Sequence, residues 1–588
     1  MSQDTTALRG ASGSIVIPEQ ERRFPDTPRD ELDAALLTLH RRAPVWCALD
    51  AAARRQLLGE LSRRTLEVAP EWVEAATAAK RIALGSTLIG EDWGSGIVQV
   101  LRNLKLLERT MQDIERTGRP QPPSLEVAPN GQVVAKVLPT DRMDTVLFTG
   151  FAAEVRLQPQ VTLDQAEARI GRIYREDHEP APGVALVLGA GNVSSIGPMD
   201  ALYELFAKDH VVLLKMNPVN EYLTPFIARA FAPLVEEGFL RLVHGGAEVG
   251  AYLTRSELID TIHITGSDKT HDVIVFGPGE EGRQRKEANE PVLDTPVSSE
   301  LGNITPVIVV PGPFSDGDIA YHGDNIASML VNNGGFNCIA ARMVIQHGAW
   351  SRRDDLLEAI RASLRAAEPR APYYPGAEDR WQRFVQAHPT AEWFGQAGPG
   401  RVPFTLIPGL DASVEDDIAF NVEAFCGVFG EVALDAPRSV PEYLEQAVAF
   451  CNDTLWGSLS ASIIVHPRSL RDPEVAAAVE RAIDELRYGS VVVNHWAAAS
   501  YAFVSPSWGA YPGSPLNDIQ SGRGVVHNTY LLEDVEKSVV RGPFRPPVKP
   551  VWFHNHAALH ELLPEVARFT ATRHPRSLAK LLVAAAKG

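Results

Sequence analysis

Cysteine is scarce and scattered in this chain. Four residues, Cys47, Cys338, Cys426 and Cys451, include no C-x-x-C pair. That excludes a disulfide framework and a thiolate metal site, and it suits a reducing compartment. No bound metal is expected. Long apolar runs are also missing, so no segment reaches the ~20 residues needed to cross a bilayer. Met1 to Gln20 contains no apolar stretch of secretory-signal length, so a cytoplasmic location is expected. Positive charge is in deficit: 56 Lys and Arg stand against 74 Asp and Glu, a net charge of −18. A field of that sign argues against a nucleic-acid partner.

What remains is ordinary soluble composition, 45% apolar and 22% charged over 588 residues. That length exceeds a single simple core and calls for two or more domains. Residues 1–28, rich in Ser, Thr, Gly and Pro, read as loosely ordered. Leucines recur at helical spacing from Arg29 to about Glu115, and Asp50 is placed to cap the second helix. A proline-rich stretch from Pro120 to Pro129 interrupts the pattern. Extended segments follow at Val133–Val137 and Glu154–Leu157.

Strands and helices then alternate. Val184–Leu188, Val211–Lys215, Leu240–His244 and Ile262–Ile264 read as strands, each followed by a glycine or a turn. Helices are expected over Pro198–Lys208 and Leu223–Glu237. A second alternating set comprises Pro306–Val310, Arg342–Gln346, Ser462–Val465 and Ser490–Asn494. Alternation of this kind implies an α/β fold with covered parallel sheets. Residues 544–588 form a Pro-rich linker and a tail. The last 23 residues carry Arg568, Arg573, Arg576, Lys580 and Lys587 and no acidic residue. Such a tail reads either as a helix docked on its own acidic body, the favoured reading, or as a helix touching anionic membrane.

The chemistry-bearing candidates fall in a few short motifs. Cys338 follows Asn333-Gly334-Gly335-Phe336-Asn337 and precedes Ile339-Ala340-Ala341-Arg342, a helix-like run. A thiol at a helix start gains thiolate character; a cysteine elsewhere is usually a small buried hydrophobe. Glu300, in Glu300-Leu301-Gly302-Asn303, reads as a general base in an apolar cleft or as a solvated loop residue. Asn192, in Ala190-Gly191-Asn192-Val193-Ser194, reads as an amide donor to an oxyanion or as a helix cap. Lys215 reads as a snorkelling strand-end lysine, or as a contact to ribose or phosphate at the carboxyl edge of a parallel sheet. Gly245 ends another strand at that edge. Gly266-Ser267 would set a helix N-terminus beside a pyrophosphate.

Taken in order, these motifs resemble the aldehyde dehydrogenase superfamily over roughly Arg29 to Val540. The segment ending in Cys338 resembles its nucleophile motif and Glu300-Leu301-Gly302 its general-base motif. Ile264-Thr265-Gly266-Ser267 resembles the cofactor-binding Phe-Thr-Gly-Ser. Glu423-Ala424-Phe425 resembles the Glu-x-Phe whose carboxylate holds the nicotinamide ribose. The chain departs from the family at Asn303-Ile304, at Phe425-Cys426-Gly427 and around Asn192, so it resembles a divergent member.

The resemblance implies a Rossmann-like NAD(P)-binding domain over 29–144 and 183–300 and an α/β catalytic domain over 301–527. It also implies a small β oligomerisation element over 145–182 and 528–543, with a C-terminal extension over 544–588. It implies oxidation of a small-molecule aldehyde through a Cys338 thioester, hydrolysed with Glu300 as base and Asn192 on the oxyanion. The cofactor is expected to be NAD or NADP, held by Lys215, Gly245, Gly266, Ser267, Glu423 and Phe425. Pro218 occupies the place where an acidic residue often selects NAD, and Arg241 and His244 stand nearby. Phe336, Trp496, Tyr501 and Trp508 are candidates for an aromatic substrate pocket. A homodimer or homotetramer is implied. Two alternatives stay open: an acylating, coenzyme A-linked enzyme that would not need Glu300, and a non-catalytic protein on the same fold.

Overall fold

A computed structural model describes residues 12–435 and 439–587. The long helices Arg29–Cys47, Ala51–Ala79 and Gln99–Thr117 come first. Asp50 caps the second, its side chain accepting from the Ala53 amide at 2.8 Å. The buried faces of these helices, including Leu36, Trp46, Leu58, Trp72 and Leu104, share one core with a six-stranded sheet.

That sheet runs Gly522–Arg523, Val297–Glu300, Thr261–Thr265, Gly183–Leu188, His210–Lys215, Leu240–Val243. All neighbouring pairs are parallel except the first. Val211 to Leu214 are fully buried on both sheet faces, as a helix-covered parallel strand requires. Each such side chain contributes roughly 1.5–3 kcal/mol of burial. Strand order reverses at Gly183–Leu188. A crevice therefore opens past the carboxyl ends of the strands, the usual place for a ligand in such sheets. The single helix expected over Leu223–Glu237 is broken into Thr224–Ala230 and Ala232–Glu236. Pro233 has no N–H to continue the first helix.

The second sheet has eleven strands. Its parallel centre is Phe404–Leu410, Val428–Leu434, Ala341–His347, Thr305–Val309, Ser460–Ile464, Ser490–Val493 and Val535–Arg541. Ala152–Leu157, Val133–Leu138 and Ser124–Val127 continue it antiparallel from Val535–Arg541. The strands near 152 and 540 thus pair with one another inside the chain. Val133–Leu138, grouped by sequence with the cofactor-binding part, belongs to this large sheet.

The tail forms two helices, Leu559–Thr572 and Pro575–Ala585. The first lies on the chain's own body, with Leu559 and Leu563 packed so tightly over Gly90 and Gly94 that a Cβ at Gly90 would collide. Among the described residues no helix is long and apolar enough to cross a membrane.

Residues 12–28 depart from the expectation of loose order; residues 1–11 lie outside the described ones. The segment is extended, with Ile15 and Ile17 turned against the second domain's core and Val16 facing solvent at 72% exposure. Gly13–Ser14 pairs in parallel with Val422–Glu423.

Candidate active site

One cavity of about 990 Å³ follows the carboxyl edge of the six-stranded sheet and ends on the second domain. It brings together Asn192, Lys215, Gly266, Ser267, Glu300, Cys338, Glu423 and Phe425. Gly245 is the expected residue that stays outside. A Cβ there would strike the side chain of its own neighbour Val249, and it is Gly246 that faces the cavity. Phe336, Trp496, Tyr501 and Trp508 are buried beside the site rather than on the cavity wall. Trp496 donates to the Ile339 carbonyl at 2.6 Å, and Tyr501 shares a hydrogen bond with Ser195 at 3.2 Å.

The loop carrying Cys338 is built by special backbone conformations. Asn333 (φ 52°), Gly334 (φ 67°) and Gly335 (φ 79°) are all left-handed. A Cβ at Gly335 would lie 2.7 Å from the Cys426 carbonyl, so only glycine fits there. The expectation of a helix after Cys338 is not met: the chain turns and enters the strand Ala341–His347. Helix-dipole activation of the thiol therefore does not apply. The β-region Met343-Val344-Ile345 run, paired on both sides, overrides the helix propensity of the two alanines.

Asparagines and a buried arginine hold this loop. Asn333 Nδ2 donates to the carbonyls of Asn192 and Phe336, both at 3.1 Å. Asn192 Nδ2 donates to the Phe336 carbonyl at 3.1 Å, which leaves a second N–H on the same nitrogen. Tyr373 donates its hydroxyl to the Asn192 carbonyl at 3.0 Å and to Asn333 Oδ1 at 3.1 Å. Arg342, 4% exposed, donates to the carbonyls of Gly335 at 2.5 Å, Val428 at 3.2 Å and Cys426. Neither Tyr373 nor Arg342 is a sequence-level candidate. A buried arginine two residues into a strand carries no signal until its acceptors, 84 and 86 residues away, are placed.

This clamp gives a testable expectation. Arg342→Met strips several buried carbonyls of their donor, at about 1–3 kcal/mol for each one left unsatisfied. The variant should unfold at a clearly lower temperature than wild type, read by calorimetry. An unchanged midpoint would mean that water or relaxation replaces the guanidinium.

Glu300 ends its strand beside Thr265, its register partner. Its carboxyl is buried, lines the same cavity as Cys338, and has one oxygen, Oε1, without a partner. Burial pushes it up to about 8, with Asp200 adding to the rise and the thiol opposing it. The Cys338 thiol is likewise held well above its ordinary value, by burial first and then by the Glu300 carboxylate. The two form a coupled buried pair that holds its protons at neutral pH.

Glu423 is buried as well and is raised to about 7 by burial, with Arg342 opposing. It accepts from the Asn303 amide at 3.3 Å. A Cβ at Gly302 would sit 2.1 Å from Glu423 Oε2, which is the physical reason for glycine in Glu300-Leu301-Gly302. Asn303, one of the departures from the family pattern, also donates from Nδ2 to Thr305 Oγ1 and the Ser460 carbonyl, both at 2.9 Å, tying the loop after Glu300 to two adjacent strands of the large sheet. Ser267 caps the helix Asp268–Phe276, accepting from the Thr270 amide at 3.2 Å. Lys215 Nζ makes no hydrogen bond or ion pair among the described residues, and burial lowers it to about 8.

The family model for the aldehyde dehydrogenase family matches residues 104–375, the stretch that holds Asn192, Lys215, Glu300 and Cys338 in one ordered set. That stretch is a little under half of the chain, and over it the chain is similar to the aldehyde dehydrogenase family. An N-succinylglutamate 5-semialdehyde dehydrogenase of Chromohalobacter salexigens is 32% identical over 146 residues. That match spans 24% of this chain and only 26% of the relative's length. Aldehyde dehydrogenase 21 from Physcomitrella patens, solved with the reaction product succinate, superposes with a TM-score of 0.58 at 16% identity. It covers 88% of this chain and 91% of its own. A glyceraldehyde-3-phosphate dehydrogenase from Methanocaldococcus jannaschii, complexed with NADP, gives 0.58 at 14% identity over 91% and 99% of the two chains. A mutant aldehyde dehydrogenase C from Pseudomonas syringae, with NAD+ and octanal, gives 0.55 at 17% over 91% and 94%. At these identities the solved structures show the fold of this chain and nothing further.

Proposed function

We propose that this protein oxidises an aldehyde to a carboxylic acid with a nicotinamide dinucleotide as acceptor. The observation that carries the reading is the juxtaposition of Cys338 and Glu300 at the inner end of one cavity. The cavity's other residues suit a dinucleotide. Lys215 is an unpartnered cation at a strand end, and nothing but Ile264 lies within 4 Å of where a Gly266 Cβ would be. Glu423 stands where a ribose hydroxyl would find an acceptor. NAD or NADP, when bound, supplies a two-electron acceptor for the hydride leaving the substrate carbon.

The chain's own residues perform the rest. Glu300 takes the thiol proton as Cys338 Sγ adds to the carbonyl carbon. The second N–H of Asn192 Nδ2 and the Cys338 backbone N–H offer donors to the oxyanion. Loss of hydride leaves a thioester on Cys338. Glu300 passes the thiol proton to solvent and then takes a proton from water; the hydroxide adds to the thioester carbon, and the C–S bond breaks to release the acid. The proton on Glu300 returns to solvent or to the departing thiolate.

Retention of a buried carboxyl at position 300 favours water over coenzyme A as the acyl acceptor. The test is dinucleotide reduction, followed by absorbance, across aliphatic and aromatic aldehydes with and without coenzyme A. Turnover without coenzyme A supports the hydrolytic reaction. Strict dependence on coenzyme A would replace it with the acylating one. Cytoplasmic homodimers or homotetramers complete the proposal, to be checked by light scattering of the purified protein.

A further inference from the structure

Part of the segment 12–28 forms one wall of the cavity, and nothing in the reaction proposed above uses it. Ser14 to Gln20 line it continuously. The segment is fixed at both ends. At one, the Ser14 amide donates to Asp268 at 2.8 Å and Lys269 Nζ donates to the Ser12 carbonyl at 2.8 Å. Ser14 Oγ donates to Glu423 at 3.5 Å. At the other, the buried Glu221 carboxylate accepts from Arg22 Nε and the Phe24 amide, each at 3.1 Å, and from the Arg23 amide. Phe24 stacks on His244 with 4.6 Å between centroids, and the Thr27 amide donates to the His244 carbonyl at 3.1 Å. The middle of the segment is thereby held between two domains, beside the strand ends that carry Lys215 and Gly246.

Glu19 occupies that middle. Its Oε1 accepts from the Ala247 amide at 3.2 Å and lies 3.2 Å from where a Gly246 Cβ would be. It is a cavity residue, as are Lys215, Pro218 and Gly246. Two cations stand near it: Arg22 Nη1 lies 3.6 Å from where a Gly246 Cβ would be, and Lys215 lines the same cavity. Arg22 is committed to Glu221 at 3.1 Å and to Asp26 at 2.5 Å, and it is not a cavity residue. Burial depresses His244, which stays neutral near pH 7. With Arg22 committed to Glu221 and Asp26, the Glu19 carboxylate faces the cavity at the strand-end edge of the sheet. Doubly wound folds use a carboxylate there to accept from a ribose 2′-hydroxyl, and an arginine there to accommodate a 2′-phosphate.

We infer that the N-terminal segment is a working part of the dinucleotide site and that Glu19 is its specificity-determining residue. Glu19 accepts from the adenosine ribose hydroxyls and repels a 2′-phosphate, supplying from residue 19 the carboxylate that is absent at Pro218. The inference rests on the dehydrogenase reading above, because it requires that a dinucleotide occupy the cavity.

The test is a fluorescence titration of the full-length protein with NADH and with NADPH, without aldehyde, for wild type, Glu19→Gln and Glu19→Ala. Wild type should bind NADH more tightly than NADPH. Both variants should narrow that ratio by roughly tenfold, mainly through tighter NADPH binding. Their unfolding temperatures should match wild type, since Glu19 is exposed. An unchanged ratio in both variants would overturn the inference and leave the dehydrogenase reading standing. A wild-type preference for NADPH would also overturn it, and would turn attention to Arg22, whose Nη2 has no partner. A chain lacking residues 1–20 that bound both dinucleotides more tightly would overturn it too, making the segment a competitor rather than a wall. Failure of wild type to bind either dinucleotide would reject the dehydrogenase reading together with the inference.

Discussion

Cys338→Ala is expected to lower aldehyde-dependent dinucleotide reduction by on the order of 10⁴-fold or more. Cys338 is the one cysteine that lines the cavity among the described residues. Cys47, Cys426 and Cys451 are packed elsewhere: Cys426 and Cys451 are fully buried, and Cys47 donates to the Asp209 carbonyl at 3.4 Å. Glu300 acts as base in that mechanism and does not supply the sulfur that holds the substrate carbon as a thioester. The variant should keep its fold, since the loop is held by Asn333, Tyr373 and Arg342 and not by the thiol. Dinucleotide binding without turnover is therefore the expected phenotype, measured by fluorescence titration beside the absorbance assay. Turnover that survives the substitution would remove the thioester from the mechanism. A biological role that survives it while wild type shows no turnover on any aldehyde would favour a non-catalytic protein on this fold.

Much of the site was legible because its residues lie at the ends of apolar runs. Val184–Leu188, Val211–Lys215 and Ile262–Ile264 are short, wholly apolar or nearly so, and closed by a turn. Parallel strands with those endings bring their carboxyl termini to one edge, and Asn192, Lys215 and Gly266 travel with them. The second domain added Cys338 and Glu423 by motif rather than by pattern. The parts that stayed hidden depend on distant partners. Ile15 and Ile17 make only two inward steps of an alternation, too short to identify as a strand, and their segment's partners lie 197 to 409 residues away. Gly302 is needed only because Glu423 folds against it. Ile339-Ala340-Ala341 has helical composition and becomes a strand entry because neighbours on both sides supply ladder partners. Local propensity gives way there to tertiary pairing.

Glu300→Gln is expected to separate the two halves of the reaction. The amide keeps the shape and the contacts of the carboxyl but takes no proton. Hydrolysis of the thioester should slow by about 10²–10⁴-fold, the range ordinarily attributed to a positioned base. If acylation is slowed less, a single burst of dinucleotide reduction will precede a slow steady state. Mass spectrometry of the quenched enzyme should then find the acyl group on Cys338. The pH dependence gives an independent check. Burial holds the Glu300 acid at about 8 against an ordinary value of 4.5. The base form is therefore scarce at pH 7 and grows as pH rises through 8. Wild-type kcat/KM should climb with pH along a limb centred near 8, and this limb should vanish in the glutamine variant. The opposite sign, activity falling through the same range, would mean that the protonated carboxyl is the working form and that Glu300 acts as an acid. A limb that persists unchanged in Glu300→Gln would instead assign the titration to Cys338, whose thiol is also raised by burial.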